Sequence, residues 1–327
     1  MLTRRQILAS VTAGSSFLFA GTSRTYAQTV QKLTRIVIGV PAGAPQDTVA
    51  RLLINHMKGY ASTIILEHRS GAGYRIAIES VKNSAADGST ILFAPAGALA
   101  LYPHIFKELK YKPLEDFTPV TTIFHNPAVL VVGQKVPVEV ATVADFIGWC
   151  RANPGQSAYG TPGAGSPMHL LGSVLAKTAG FELVHVPYQG SGPAIQDVLG
   201  GQIASAITNL PTVIQYLDTG RLRVLATTGP ERSSLLSNVP TMNEVGYPAL
   251  EFSEWFGFLL PARTPAPIAN ALNTVILEAL KSEEIRSGLA KLSLEPSGIS
   301  LNEFSQRLRA DTQRWELLVK ASGFTGE

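Results

Sequence analysis

A single cysteine, Cys150, stands in 327 residues, so the chain can close no internal disulfide and assemble no thiolate cluster. Histidine is almost as sparse. His56, His68, His104, His125, His169 and His185 include no pair three or four apart, the spacing that sets two ligands on one helix face, and metal ligation is not expected. The sequence also lacks a Gly-x-Ser-x-Gly nucleophile elbow, a Gly-x4-Gly-Lys-Ser/Thr phosphate loop and a His-Glu-x-x-His zinc helix. No apolar run reaches the roughly 20 residues that a membrane-spanning helix needs. The 29 glycines and 21 prolines follow no fixed period, which excludes collagen-like and solenoid architectures. What remains, 45% hydrophobic and 16% charged, is enough to bury one sizeable core or two smaller ones.

The formal charge of +3 does not point to nucleic acid, because it resides in the first residues. Residues 1–27 read as an export signal. Arg4 and Arg5 precede the modestly apolar Ile7 to Ala20, and Thr25-Tyr26-Ala27 is a small-x-small cleavage pattern. The twin arginine and the hydroxyl-diluted apolar stretch favour the twin-arginine route over Sec. This leader holds three of the 27 basic residues, Arg4, Arg5 and Arg24, and none of the 24 acids; the chain from Gln28 onward therefore carries 24 of each sign and no net charge. No cysteine follows the leader's apolar run to take a lipid, so no stable membrane anchor is expected and the compartment read here is the periplasm. Cys150, within helix-like Val143 to Asn153, reads as a buried thiol.

Apolar periodicity gives a βαβαβ start: strand Arg35 to Val40, helix Asp47 to Tyr60, strand Thr63 to His68, helix Gly73 to Asn83 and strand Thr90 to Ala94. Two β-type runs over Val120 to Val132 are read as broken by Asn126-Pro127, after which strands and helices alternate again. Phe256 to Pro261 is a further apolar strand, and Pro265 to Gly323 is a helical tail expected to pack on the first lobe. The result is an α/β fold of two lobes, residues 28–126 plus 254–327 and residues 127–253, with a hinge and a ligand cleft where the chain crosses.

Three helix starts rich in Gly, Ser and Pro lie at strand C-terminal ends, where open α/β sheets bind ligands. They are Pro41 to Asp47, Pro95 to Ala98 and Gly160 to Ser166. Backbone N–H groups at such starts hold carboxylate or phosphate without a cationic side chain. Each marked residue has a second reading. Asp47 suits the first turn of a helix, Ser166 an N-cap, and His169 a satisfied structural histidine; Tyr188 fits either a core or a cleft wall. Trp255 and Phe256 fit a cleft or a hinge equally. Gly71-Ala72-Gly73 imitates a dinucleotide fingerprint but has Ile76 where the third glycine belongs.

These motifs, taken in order, resemble the periplasmic solute-binding receptors of tripartite tricarboxylate transporters, the Bug family. The resemblance rests on Ile36 to Pro41 with Asp47, Leu66 to Gly73, Ala86 to Thr90, Tyr111 to Phe117, Tyr159 to Ser166 with His169, His185 to Tyr188, Gly192 to Ala194, Asn209 to Pro211, Val239 to Thr241, Trp255 to Gly257 and Val319 to Gly323. It implies a type II periplasmic binding fold that closes over a small organic carboxylate and delivers it to integral-membrane permease subunits, with no cofactor and no catalysis. The ligand residues it implies are Gly43, Ala44, Gln46, Asp47, Pro95, Ala96, Gly97, Gly163, Ala164, Gly165, Ser166, His169, Tyr188 and Asn209. Where many relatives have Asp-Asn-Leu-Pro, this chain has Thr208-Asn209-Leu210-Pro211. The resemblance admits a dicarboxylate, tricarboxylate or aromatic carboxylate, and the missing acid favours a dicarboxylate or aromatic carboxylate over amino acids. Two other functions fit an exported α/β protein: a ligand sensor for a membrane signalling partner, and a periplasmic hydrolase or isomerase.

Overall fold

The computed structural model describes residues 31–324, so the expected export signal lies outside the described residues. The chain runs β1 (Gln31–Ile38), α1 (Pro45–His56), β2 (Ala61–His68), α2 (Arg75–Lys82), β3 (Thr90–Pro95), α3 (Tyr102–Ile105), α4 (Pro113–Asp116), β4 (Phe117–Val132) and α5 (Val143–Ala152). It continues through β5 (Ala158–Thr161), α6 (Pro167–Ala179), β6 (Val184–Pro187), α7 (Ser191–Leu199), β7 (Ser205–Asn209), α8 (Leu210–Leu217) and β8 (Arg223–Thr227). Then follow β9 (Ser253–Pro261), α9 (Ala266–Ala279), α10 (Glu283–Lys291), β10 (Glu295–Pro296) and α11 (Leu301–Ser322). Side-chain caps fix several helix starts: Thr142 and Ser300 make capping boxes with Asp145 and Glu303, and Ser166 and Ser282 accept amides at α6 and α10.

The sheet path is β2-β1-β3-β9-β4-β7-β5-β6. The first β–α units pair in parallel, β1 with β2 and with β3, as crossovers through α1 and α2 require. β4 and β9 then run antiparallel, and they join the two halves. β4 pairs with β9 from Phe117 to Pro127, with β7 from Ala128 to Val132 and with β8 from Val129 to Val132. Asn126-Pro127 therefore does not break the chain into two strands: one 16-residue strand passes through and changes partners there. Proline is an obstacle inside a ladder because it offers no N–H. Placed where the strand leaves one partner for others, it disturbs the least pairing.

The core follows this division in part. One apolar cluster, with Ile36, Leu53, Phe93, Phe258 and Leu272, lies under α1 and α9. Another, with Val129, Ile195 and Val213, lies under α7 and α8. The largest cluster crosses between the halves and includes Leu92, Leu130, Tyr159, Leu171 and Trp315. α11 does more than cover the first lobe, since Lys177 Nζ on α6 donates to the carbonyls of Ala321 and Ser322. Cys150 is buried, and burial pushes its thiol up to about 11.

Phe304 shows how α11 is held. It is fully buried, its ring meets Trp255 edge-on at 4.9 Å, and it lies over Gly257, where a Cβ would come within 2.5 Å of the ring. Phe304→Ala is expected to cost about 3–5 kcal/mol, read as a lower urea midpoint with an unchanged m-value. A loss below about 1 kcal/mol would mean that α11 is not part of the cooperative core.

Candidate functional site

A cleft of about 720 Å³ opens between the halves. Helix starts at the C-terminal ends of β1, β5 and β7 face it through Gln46, the Pro162–Pro167 loop, and Asn209 with Pro211. The turn after β3 adds Pro95 and Gly97. Tyr74, Tyr102, Phe124 and Phe256 give it aromatic walls.

The first loop is shaped by Asp47. Its Oδ2 accepts the Gly43 amide at 3.0 Å and Arg51 Nε at 3.0 Å, while Oδ1 meets His68 Nε2 at 2.7 Å. Burial pushes the carboxyl up, but the bonds from Arg51, Gly43 and His68 outweigh it and bring the pKa down to about 2. Gly43, at φ +87°, turns the loop back toward this carboxylate, and the Ala44 amide bonds Pro41. Pro45 has no N–H, so the amides without an intrahelical acceptor at the α1 start are those of Gln46 and Asp47.

The second loop has a comparable brace. Ser166 Oγ donates to the Gly163 carbonyl at 2.7 Å and accepts the His169 amide, capping α6. His169 Nδ1 accepts the Gly165 amide at 3.0 Å, which places any ring proton on Nε2. Its ring stacks on His185 at 3.7 Å, and His185 Nε2 bonds Thr161 Oγ1 at 2.7 Å. Burial lowers the pKa of both rings, that of His185 to about 4 with the neighbouring ring adding to the effect, so the stack is neutral at physiological pH. Tyr188 lies against Gly160 and donates to Asp197 Oδ2 at 2.6 Å.

Of the residues expected at the ligand, Gln46, Pro95, Gly97, Gly163, Ala164, Gly165, Ser166 and Asn209 line the cleft. Gly43, Ala44, Asp47, Ala96, His169 and Tyr188 do not. For these the bland readings describe the geometry: Asp47 and His169 hold the two loops in shape, and the Tyr188 hydroxyl is spent on Asp197. Arg69 pairs with Glu67 and stays out of the cleft. Phe256 is a cleft aromatic, whereas Trp255 points under α11 and donates to Asp311 at 2.6 Å.

Three polar residues escaped sequence reasoning. Tyr74 follows Gly71, Ala72 and Gly73 in a run of four positive φ values, at 124°, 46°, 59° and 74°. Strain of that kind persists where surrounding structure enforces it. Here the Gly-Ala-Gly turn, which imitated a nucleotide loop, swings Tyr74 onto Gly39 and into the cleft wall. Its hydroxyl is buried without a partner, as is Asn126 Oδ1; Asn209 Oδ1 is in the same state, and all three residues face the cleft. Glu254 is the third, opposite Asn126 in the β4–β9 register. Its Oε1 accepts the Gly97 amide at 2.9 Å. The cleft thus contains an acid, and it is supplied by β9. The available signal was a lone carboxylate inside the otherwise apolar Ser253–Pro261, since an acid in a buried strand is rare without a purpose.

Residues 49–324 match the family described as Tripartite tricarboxylate transporter family receptor. The chain belongs to this family. It is 33% identical over 291 residues to protein BugT of Bordetella pertussis, a match covering 88% of this chain and 89% of BugT. Among solved structures it is similar to Rpa4515 of R. palustris with adipate, at 32% identity and TM-score 0.77, covering 90% of this chain and 99% of that one. MatC of Rhodopseudomonas palustris with bound malate superposes with TM-score 0.71 at 26% identity, covering 88% and 99%. The two-lobed α/β fold is shared by these receptors.

The role given to Asp47 predicts a stability effect with a defined pH window. Asp47→Ala leaves the Gly43 amide and His68 without their acceptor and is expected to cost about 1–3 kcal/mol at neutral pH. A depressed carboxyl pKa contributes stability above its unfolded value of 3.8, lost as pH falls toward about 2. The gap between wild type and variant in urea melts should therefore narrow across that window; a gap unchanged from neutral pH to about 2 would contradict the assignment.

Proposed function

We propose that this chain is a periplasmic solute-binding receptor. It captures a small organic carboxylate between its lobes and delivers it to the integral-membrane permease of a tripartite tricarboxylate transporter. The observation that carries the reading is the convergence of the α1, α6 and α8 starts on one cleft that, among the described residues, is lined by no Lys, Arg or His. Unsatisfied N–H groups and aligned peptide dipoles at those starts supply the positive potential. Relatives of the same fold with adipate and with malate support a carboxylate as the ligand class.

The ligand residues in this reading are Gln46, Gly97, Gly163, Ala164, Gly165, Ser166 and Asn209, joined by Tyr74, Asn126, Glu254 and Phe256. The lobes are residues 28–126 with 254–327 and residues 127–253, and export removes residues 1–27. Ligand closes the lobes because it touches both and so binds the closed state better than the open one. The role is capture and release, not conversion: the two histidines near the second loop are stacked on each other and bonded within the protein, and neither lines the cleft.

Calorimetry of the chain from Gln28 against mono-, di- and tricarboxylates and aromatic acids tests this. Saturable binding of at least one carboxylate is expected, with the ligand recovered unchanged and a smaller radius of gyration in solution scattering. Asn209→Ala should weaken that binding about tenfold, the equivalent of 1.4 kcal/mol. Chemical conversion of a bound compound, or no binding by any carboxylate, would overturn the proposal.

A further inference from the structure

Among the described residues lining the cleft, Glu254 is the only acid, and no basic side chain faces it. The residue is 9% exposed. Oε1 takes the Gly97 amide, while no hydrogen bond or ion pair among the described residues reaches Oε2. The walls beside it are aromatic. Tyr74 and Tyr102 both lie within reach of its charge, Tyr74 meets Phe256 edge-on at 6.1 Å, and Phe256 stacks on Phe124 at 4.9 Å. A half-partnered carboxylate in an aromatic-lined cleft repels a second anion and attracts a cation by charge, and the rings nearby favour a cation as well. Helix starts elsewhere in the same cleft have the opposite preference.

We infer that the ligand captured here carries an organic cation, a primary or a quaternary ammonium, in addition to its carboxylate, and that Glu254 is the residue that selects it. This rests on the carboxylate-receptor reading above and narrows it.

Protonation gives the inference a signature. Burial holds the Glu254 carboxyl up at about 7, the Gly97 bond opposing and Asp311 adding to the shift. The titratable groups facing it are Tyr74 from the turn before α2, Tyr102 from α3 and Asp311 from α11. Burial keeps both phenols protonated, and Asp311 is engaged by Trp255 Nε1 and Arg307. A cation arriving at Glu254 favours the ionised form, so binding below neutral pH expels the carboxyl proton to buffer. A second carboxylate arriving there draws a proton in.

The test is calorimetry at about pH 6 in two buffers of different ionisation enthalpy. The probes are straight-chain dicarboxylates, ω-amino carboxylates, ω-trimethylammonium carboxylates and simple monocarboxylates, matched in length. An amino or trimethylammonium compound is expected to bind at least tenfold tighter than the dicarboxylate of its length, with proton release; the tighter arm tells primary from quaternary ammonium. Glu254→Gln, which keeps an acceptor for the Gly97 amide, should remove that preference. The sign of proton exchange is read on the unaltered protein and does not depend on the variant folding. Tighter dicarboxylate binding, proton uptake, or a preference that survives in a folded Glu254→Gln overturns the inference alone. Failure of every probe overturns the receptor reading and the inference with it.

Discussion

The antiparallel pairing of β4 with β9 is the constraint on which the rest of the molecule depends. Each strand crosses between the lobes, all nine residues of β9 are buried, and β4 changes partners between Pro127 and Ala128. The cleft lies at that switch because the β–α units on either side present their strand C-terminal ends to it. The same register sets Asn126 opposite Glu254, so two polar groups with unmet hydrogen-bonding capacity arrive side by side at the cleft. In the proposed closure these two strands serve as the hinge, since few backbone dihedrals need to change.

Around this frame the protein prepares a site for anions without spending a basic side chain on it. A lysine or arginine in so enclosed a cleft would itself have to be desolvated in the unliganded state. Amides at helix starts are fixed by the helix behind them, and here by the two braces in front: Asp47 on the first loop, and Ser166 with His169 on the second. In each loop a polar side chain accepts one amide, Asp47 that of Gly43 and His169 that of Gly165. Of these brace residues Ser166 lines the cleft, whereas Asp47 and His169 hold the loops from behind it. The His169–His185 stack is kept neutral by burial, so it adds rigidity without a charge that would compete with the ligand.

Much of this was legible in the sequence, and the exceptions have a common physical cause. Alternating apolar runs and Gly-Pro-Ser punctuation locate the β–α units to within a few residues, and the helix starts at Gln46 and Ser166 fall where those patterns put them. Sequence places Asp47, His169 and Tyr188 near the loops but is silent about the direction of their polar atoms, which depends on His68, Gly165 and Asp197. Pro127 reads as a break because local rules ignore a strand that exchanges partners. Glu254 escaped for the corresponding reason: its neighbours Gly97 and Asn126 are distant in the chain and meet it only through the sheet register. α11 likewise reaches α6 through contacts that helical periodicity alone does not assign to either lobe.

The central claim is that backbone at helix starts, and not a basic side chain, holds the ligand carboxylate. A crystal structure of the protein saturated with a carboxylate that it binds tests this most directly. The account predicts carboxylate oxygens within about 3 Å of amides at the α1, α6 or α8 starts, directly or through one ordered water, with Asp47 still bonded to Gly43 and His68. A carboxylate paired instead with Arg69 or Arg75, or seated outside the interlobe cleft, would contradict it.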